Sequence, residues 1–341
     1  MILPGPRNLI TDVEGILVGN AEDVDALTGT TVILPALPVV AAVDVRGGAS
    51  GSRETAALDP SGLVSHIHAL ALSGGSVFGL DAASAVTHEL ARRGIGFSFG
   101  AQPWPSPVVP AAVLFDIMNG GHKWMKDPPY FELGAKALSG ASAGFPLGNV
   151  GAGMGAVAGR LKGGLGSASV TWNGYTLGAL VAVNSVGSCV IPGSARLWAR
   201  NLAIGDEMGP AIAAAARPSE AEPLAESKLD PQIRENTTIA VIATDAVLHE
   251  VEAKRLAIMA ADGMARAIRP VHTPFDGDTI FALATGRIPL GDVPARTLTA
   301  LGSLAADTLA RAIGRALWEA QAVGQWQSYR DLIGRFTTET R

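Results

Sequence analysis

Charged residues are scarce in this chain, where they make up 17% of 341 residues with a formal net charge of −5 and no block of like charges. A nucleic-acid partner needs a basic stripe, so this composition excludes that class of partner. Cysteine is scarcer still, because Cys189 is the only one. One cysteine excludes a disulfide framework and a thiolate metal site within a single chain.

Long apolar runs and a secretory signal are also missing. Residues 1–20 lack a basic start followed by an apolar core, so we expect no signal peptide. The longest uncharged stretches, residues 62–80, 94–115 and 163–195, are broken by Gly, Pro, His or Asn. None of them has the ~20 apolar residues that a membrane-spanning helix needs. We therefore expect a cytoplasmic protein without a membrane partner.

Hydrophobic residues are abundant at 48%, enough to bury a large core. Short β-branched runs such as 39–45 and 237–243 predict strands, and many are apolar throughout, which is typical of strands covered on both faces. Spacings of three, four and seven predict one helix from Asp245, as its N-cap, to Pro270, and another over about 294–323. Together these patterns predict sheets covered by helices.

The segment over about residues 217–235 differs from its surroundings. It is rich in Glu, Lys, Pro and Ser and poor in large apolar residues. Such a segment can bury little, so we expect a mobile surface linker. It is either an ordinary long loop or a segment that leads into a cut site and becomes a loose tail afterwards. Composition does not separate the two interpretations.

The junction of Asn236 with Thr237 joins this segment to a predicted strand. Attack of the Thr237 hydroxyl on the Asn236 carbonyl would give an ester by N–O acyl shift, and water would then free the α-amine. An α-amine has an ordinary pKa of about 7.7–8.0, suited to a base near neutral pH. One residue would thus supply both nucleophile and base. The dipeptide alone is common and is weak evidence.

Two carboxylates, Asp276 and Asp278, flank Gly277 before another predicted strand. In an extended segment both side chains point to one face, where they repel each other and favour a cation between them. The ammonium of a new N-terminus would serve, and so would a metal ion with His272 as a third ligand. A turn with ordinary caps is the third interpretation, and the residues alone favour it.

Other candidate groups are a glycine-rich stretch, a lysine and an asparagine. The glycines of residues 148–155 lack a Walker pattern and predict only a close approach of the backbone to another backbone or a ligand. Lys162 is either an active-site cation or, as base rates favour, a solvated surface lysine. Asn184 ends an apolar strand, where its amide could stabilise an oxyanion or cap a turn.

Taken together, these motifs resemble those of the L-aminopeptidase/D-esterase (DmpA-like) family of self-cleaving hydrolases, which includes β-peptidyl aminopeptidases and nylon-oligomer endohydrolases. The resemblance covers nearly the whole length. Its motifs follow the family's order: 9–15 (LITDVEG), 18–19 (VG), 28–32 (TGTTV), 44–48 (DVRGG), 72–80 (LSGGSVFGL), 109–113 (VPAAV), 148–153 (GNVGAG), 162–168 (KGGLGSA), 236–238 (NTT) and 276–279 (DGDT).

The resemblance implies an α+β fold, a four-layer αββα sandwich, cleaved into an α chain of residues 1–236 and a β chain of residues 237–341. It implies an N-terminal-nucleophile aminopeptidase or amidohydrolase for small peptides, amino-acid amides or esters, or oligoamides. No cofactor is implied, and family members are usually homotetramers of αβ units. Ornithine acetyltransferases also self-cleave before a threonine, so acyl transfer is one alternative. A metal-dependent hydrolase using His272, Asp276 and Asp278 is the other.

Residue by residue, the resemblance makes Thr237 the nucleophile and Asn184 the oxyanion-stabilising asparagine. Lys162 matches an active-site lysine, and Asp276 and Asp278 match the acidic pair, of the nylon-oligomer branch. Other members have Ser and Glu at the acidic pair. The threonine and the DGD triplet place the chain nearer the nylon-oligomer hydrolases.

Three further positions are expected near the nucleophile. Some members have a tyrosine where this chain has Phe115, and a phenol there can hydrogen-bond the nucleophile or the oxyanion. That contact is absent here or is supplied by another group. Gly151 and Gly153 belong to the loop that we expect to add backbone N–H donors at the oxyanion.

Overall fold

Short apolar strands pair into two sheets in the computed structural model, which describes residues 1–124, 126–210, 212, 222–229 and 236–339. The strands are β1 (Ile16–Asp23), β2 (Thr28–Pro35), β3 (Val39–Val45), β4 (Gly51–Arg53), β5 (His66–Ile67), β6 (Leu70–Ser73), β7 (Ala111–Val113), β8 (Val157–Ala158), β9 (Leu161–Lys162), β10 (Gly164–Trp172), β11 (Tyr175–Asn184), β12 (Thr237–Ala246) and β13 (Thr279–Ile288). The helices are α1 (Asp81–Arg92), α2 (Tyr130–Ser139), α3 (Glu250–Ala260), α4 (Asp262–Ala267), α5 (Pro294–Glu319) and α6 (Tyr329–Glu339). Within the described ranges, no helix combines the length and apolar character needed to cross a membrane.

The strand order is β10-β11-β12-β13-β3-β5 in the larger sheet and β1-β2-β6-β7-β4 in the smaller one, with β8 and β9 forming a separate hairpin. Most neighbouring strands are antiparallel, but β6 and β7 run parallel in the smaller sheet and β12 and β13 run parallel in the larger one. A parallel pair needs a crossover connection, which α3 and α4 supply between β12 and β13.

Many strands are apolar on both faces because each sheet packs against the other sheet on one face and against helices on the other face. In β12, Ile239 and Val241 pack between the sheets against residues such as Ile33 of β2. Ala240 and Ile242 face the other way, into a core shared with α3 and α5. A third core lies between the smaller sheet and helices α1 and α2. The four-layer αββα sandwich and the α+β class are thus confirmed.

The helix predicted from Asp245 to Pro270 is wrong at its start and in its continuity. Asp245 lies inside β12, where its carboxylate accepts the N–H of Thr176 at 2.8 Å. The helical region begins only at Glu250, after His249, and is divided into α3 and α4. A residue type common at N-caps here accepts a hydrogen bond from the neighbouring strand, so the strand runs on.

The predicted linker over about 217–235 is described only at residues 222–229, and the rest of it lies outside the described residues. Within this part, Ser227 and Lys228 are buried, and the Lys228 N–H donates to Val186 O at 3.0 Å. The expectation that the segment buries little is therefore wrong for these two residues. The mobility of the remainder stays a prediction.

Candidate active site

The site lies where three strand ends meet. Asn184, the last residue of β11, pairs with Thr237, the first residue of β12. Because β13 runs parallel to β12, the residues just before both strands lie side by side, and Asn236 pairs with Asp276 in a parallel bridge. The larger sheet therefore brings together Asn184, the Asn236–Thr237 junction and the acidic pair.

The Asn236–Thr237 peptide is buried and held on both sides. The Thr237 hydroxyl donates to the carbonyl oxygen of Asn236, the group that it would attack. The same oxygen accepts the N–H of Gly277 at 2.9 Å, and the Asn236 N–H donates to Phe275 O at 3.0 Å. The Gly277 N–H polarises this carbonyl and can stabilise negative charge on its oxygen when the hydroxyl attacks.

Asp278 is fully buried and accepts hydrogen bonds from both sides of the site. One oxygen accepts the N–H of Thr238 at 2.8 Å. The other accepts the N–H of His272 at 3.0 Å and lies 2.8 Å from His272 Nδ1. The carboxylate thereby fixes the residue next to Thr237.

Asp276 is also buried, but its oxygens bind different groups. One accepts the N–H of Val186 at 3.1 Å, and the other accepts the Thr273 N–H at 3.1 Å and the Thr273 hydroxyl at 2.7 Å. Burial, followed by the negative charge of Asp278, raises the pKa of Asp276 to about 6.

The metal site suggested by His272, Asp276 and Asp278 is not formed. Among the residues that the structure describes, no three His, Cys, Asp or Glu side chains are placed to hold a metal ion. His272 and Asp278 bond to each other, whereas Asp276 binds Thr273 and Val186. The carboxylate oxygens are thus engaged by donors within the protein.

Asn184 is oriented by four hydrogen bonds. Its Oδ1 accepts the Val157 N–H at 3.0 Å, the Asn119 amide at 2.9 Å and the Lys228 ammonium at 3.1 Å. Its Nδ2 donates to Phe115 O at 2.9 Å. A backbone N–H and an ammonium only donate, so they fix which end of the amide is the oxygen. Phe115 therefore contributes its backbone carbonyl to the site through Asn184.

Lys162 is fully buried, so the solvated surface interpretation is wrong. Its ammonium donates to the carbonyls of Gly153 at 2.9 Å, Ala156 at 2.9 Å and Gly163 at 3.0 Å. Burial lowers the pKa of Lys162 to about 7. Within the described residues its hydrogen bonds hold the loop that precedes Val157, whose N–H orients Asn184. This geometry gives Lys162 a supporting position rather than contact with Thr237.

Gly151 and Gly153 are buried, and their N–H groups already have acceptors. The Gly151 N–H donates to the Glu22 carboxylate at 3.0 Å, and the Gly153 N–H donates to Val150 O at 2.8 Å. The expectation that these N–H groups face an oxyanion is therefore wrong for this form of the chain. A Cβ on Gly153 would lie 2.1 Å from Leu165 N, so this glycine permits close backbone packing, as its sequence context indicates.

A cleft of about 400 Å³ borders the Asn236–Thr237 peptide. Its lining combines serine hydroxyls with apolar side chains, and none of the residues that line it carries a charge. They are Ala49, Ser50, Gly51, Ser52, Ser76, Val77, Leu80, Val113, Leu114, Phe115, Asn236 and Thr237. Such a surface can bind an uncharged substrate chain that extends to both sides of an amide bond.

Sequence reasoning missed two groups of this site. Lys228 lies in a charged segment, and nothing in that segment distinguishes it from a solvated lysine. The N–H of Gly277 could have been found, because a glycine between two aspartates permits close approach of another part of the backbone. A Cβ at Gly277 would lie 2.6 Å from Thr237 Oγ1.

The raised pKa of Asp276 predicts a pH-dependent stability. The folded chain holds this proton at pH values where the unfolded chain, with the ordinary pKa of 3.8, has lost it. Asp276 therefore destabilises the fold progressively as the pH rises from about 4 to about 6, and by a constant amount above. We expect the melting temperature of Asp276→Asn, relative to its parent, to rise over this pH range and then level off.

The measurement is thermal unfolding followed by circular dichroism, with Thr237→Ala in both proteins to remove the candidate nucleophile. The readout is how the difference between the two melting temperatures changes with pH. The difference at a single pH is not informative, because asparagine also alters the hydrogen bonds to Thr273. A difference that stays flat or falls between about pH 4 and about pH 6 contradicts the prediction.

Comparison with known proteins places this geometry in a family. Residues 8–329 match the model of peptidase family S58. An uncharacterized aminopeptidase of Mycobacterium tuberculosis is 42% identical, over 96% of this chain and 98% of the relative. The 6-aminohexanoate-oligomer endohydrolase of Kocuria sp. is 32% identical, over 89% of this chain and 84% of the relative.

Solved structures share the fold. A Burkholderia sp. β-aminopeptidase superimposes with a TM-score of 0.72 at 23% identity, over 99% of this chain and 96% of that one. The L-aminopeptidase D-Ala-esterase/amidase of Ochrobactrum anthropi, described as a variant of the Ntn hydrolase fold, gives 0.72 at 22% identity over the same shares. The chain therefore belongs to peptidase family S58, and it is an aminopeptidase or amidohydrolase with an Ntn-type αββα fold.

Proposed function

We propose that the chain is a precursor that cuts its own Asn236–Thr237 bond and then uses Thr237 as an N-terminal nucleophile on amides. The observation that carries the proposal is the placement of two groups on one carbonyl. The Thr237 hydroxyl and the Gly277 N–H both donate to the oxygen of Asn236. Nucleophile, target and charge-stabilising donor are thus within contact before any cut.

The cut is an N–O acyl shift followed by hydrolysis. The Thr237 hydroxyl oxygen bonds to the Asn236 carbonyl carbon, and the carbonyl oxygen takes the negative charge beside the Gly277 N–H. The bond from that carbon to the Thr237 nitrogen then breaks, and the proton lost by the hydroxyl ends on this nitrogen. Water hydrolyses the ester, which leaves a carboxylate on Asn236 and a free amine on Thr237.

Turnover repeats the chemistry on a substrate. The freed amine of Thr237 takes the proton of its own hydroxyl, which attacks the substrate carbonyl and forms an acyl-enzyme ester. The amine returns the proton to the leaving nitrogen, and water releases the acyl group. The Gly277 N–H lies at the position of the former Asn236 carbonyl oxygen, and losing such a donor usually costs about 10²–10³ in turnover. Asn184, which pairs with Thr237 in the sheet, is the second candidate donor, through the amide hydrogen that does not bind Phe115 O.

In this scheme the acidic pair, Asp276 and Asp278, stabilises the positive charge of the Thr237 amine. Asp278 binds the N–H of Thr238, the residue next to the new terminus, and Asp276 lies beside Asn236 in the parallel bridge. Two carboxylates near an ammonium favour its charged form during the step in which it holds the proton. The pair thereby orients the amine and offsets its charge.

The substrate class follows from the cleft and from the relatives. The cleft beside Thr237 is lined by neutral residues, which suits small peptides, amino-acid amides or esters, and oligoamides. Relatives carry the names aminopeptidase and 6-aminohexanoate-oligomer endohydrolase. A panel of amino-acid p-nitroanilides, esters and 6-aminohexanoate oligomers ranks these substrates, with acetyl transfer from acetyl-ornithine to glutamate as the contrasting reaction.

The deciding test is the covalent state of the purified wild type. We expect intact mass to show two chains, residues 1–236 and 237–341, and N-terminal sequencing to read Thr237-Thr238-Ile239 from the smaller one. A single uncut chain that hydrolyses amides would end the proposal. Light scattering of the matured protein checks the expected tetramer of αβ units.

A further inference from the structure

We infer that Lys228 is a positioning residue for the self-cleavage step, in which its ammonium holds the side chain of Asn236. The inference rests on the proposed self-cleavage. It concerns a lysine eight residues before Asn236, in the part of the segment that precedes the cut site.

Lys228 places a buried positive charge between the two asparagines of the site. The residue is 6% exposed. Its ammonium donates to Asn236 Oδ1, to Asn184 Oδ1 at 3.1 Å and to Asn184 O at 3.3 Å. Because burying an ammonium is costly without acceptors, these three oxygens offset part of the cost of placing the lysine here.

The backbone around Lys228 is docked rather than loose. The Lys228 N–H donates to Val186 O at 3.0 Å, while the Val186 N–H donates to Asp276 at 3.1 Å. A Cβ on Gly159 would lie 2.5 Å from Glu226 O, so this glycine leaves room for the segment. The lysine is therefore tied to the same strand-end region that carries the acidic pair.

These contacts complete the restraint on the peptide to be cut. The backbone of Asn236 is held by Phe275 O and by the Gly277 N–H. Its side chain is held by Lys228, so the residue is held through both its backbone and its side chain. Loss of the lysine removes this restraint on the side chain, so the carbonyl spends less time against the Thr237 hydroxyl.

The test measures the rate of cutting after cell-free synthesis, by denaturing electrophoresis over time. We expect Lys228→Met to slow cutting about 10- to 100-fold, the size expected for a lost hydrogen bond to a charged group. Lys228→Arg should recover part of the rate. Lys123→Met is the matched control, because Lys123 is partly buried and its ammonium binds the backbone carbonyls of Ala26 and Leu27 instead of an asparagine of the site. It should be cut at the wild-type rate.

A double-mutant cycle with Asn236 separates positioning from a general loss of structure. Asn236→Ala should be slow, and adding Lys228→Met should slow it little further. If Lys228→Met slows cutting by the same factor in both backgrounds, the inference is wrong. If Lys228→Met does not fold, Asn236→Asp and Asn236→Ala decide. Asn236→Asp keeps an oxygen that can accept from the Lys228 ammonium, so this variant should be cut near the wild-type rate. If Asn236→Asp and Asn236→Ala are cut at equal rates, the inference is overturned.

The outcomes distinguish this inference from the proposed function. A wild type that is never cut overturns both. A wild type that is cut, beside a Lys228→Met variant that is cut equally fast, overturns the role of Lys228 alone.

Discussion

Thr237→Ala is expected to remain one full-length chain and to show no amide hydrolysis above background. The substitution removes the hydroxyl that lies against the Asn236 carbonyl, so neither the acyl shift nor the acyl-enzyme can form. Removing the nucleophile of a covalent hydrolase lowers turnover on the order of 10⁴-fold or more. Thr237→Ser keeps the hydroxyl and should be cut and active. Denaturing electrophoresis and intact mass show whether each variant is cut, and hydrolysis of a p-nitroanilide measures its activity.

The neighbouring threonine provides a matched control. Thr238 is equally buried, and its hydroxyl has no hydrogen-bond partner among the described residues. Thr238→Val keeps the shape and removes only that hydroxyl, so it should be cut, active and no less stable. A Thr237→Ala chain that is still cut at the same bond, or a Thr238→Val chain that is not, contradicts the assignment of Thr237.

Strands such as β3 and β12 were predictable, because their signals are local. The β-branched run at Thr237 begins β12, and the apolar run at Val39 matches β3 at both ends. Asp245 was not predictable, because its role depends on Thr176 in a neighbouring strand. An aspartate before an amphipathic stretch has the same local pattern whether it caps a helix or binds a strand.

The site was predictable from family resemblance rather than from the residues alone. Asp276 and Asp278 look like turn caps until β12 and β13 are known to be parallel neighbours, which brings them to Asn236. The pairing is a tertiary fact with no local signal. The resemblance supplied the residues but not this pairing, and the pairing in the structure brings Asn184, Asn236 and the acidic pair together.

Buried lysines were the main difficulty. Lys162 and Lys228 are both buried, yet each stands in a sequence context that also suits a surface lysine. Lys228 binds Asn184, which lies 44 residues earlier, and a distant partner of this kind is not visible in a short sequence window. The three carbonyls that bind Lys162 lie within nine residues of it, but they face the ammonium only because of how the chain folds there.

Gly277→Ala should strongly slow self-cleavage although it removes no side chain from the site. The added Cβ would lie 2.6 Å from Thr237 Oγ1 and 2.8 Å from Ala49 O, closer than such atoms approach in proteins. Ala49 cannot easily give way, because its N–H is bonded to Asp276 O at 2.8 Å. The Thr237 hydroxyl or the Gly277 N–H must therefore leave the Asn236 carbonyl.

We expect the cutting rate of Gly277→Ala to fall by about 10²–10³, the usual effect of losing an oxyanion donor. The overpacked site should also lose about 1–3 kcal/mol of unfolding free energy. Cutting is measured by electrophoresis after synthesis, and stability by denaturant unfolding of the uncut Thr237→Ala forms with and without the change.

Gly144→Ala is the matched control, because a Cβ at Gly144 meets no atom within 4 Å. Neither Gly144 nor Gly277 has a left-handed backbone, so neither substitution adds conformational strain. The control should be cut at the wild-type rate. If Gly277→Ala is folded and is also cut at that rate, the N–H of residue 277 and the present position of the Thr237 hydroxyl are not what the cut requires. The oxyanion would then have to be stabilised by another donor, and Asn184, which ends β11 opposite Thr237, is the next residue to test.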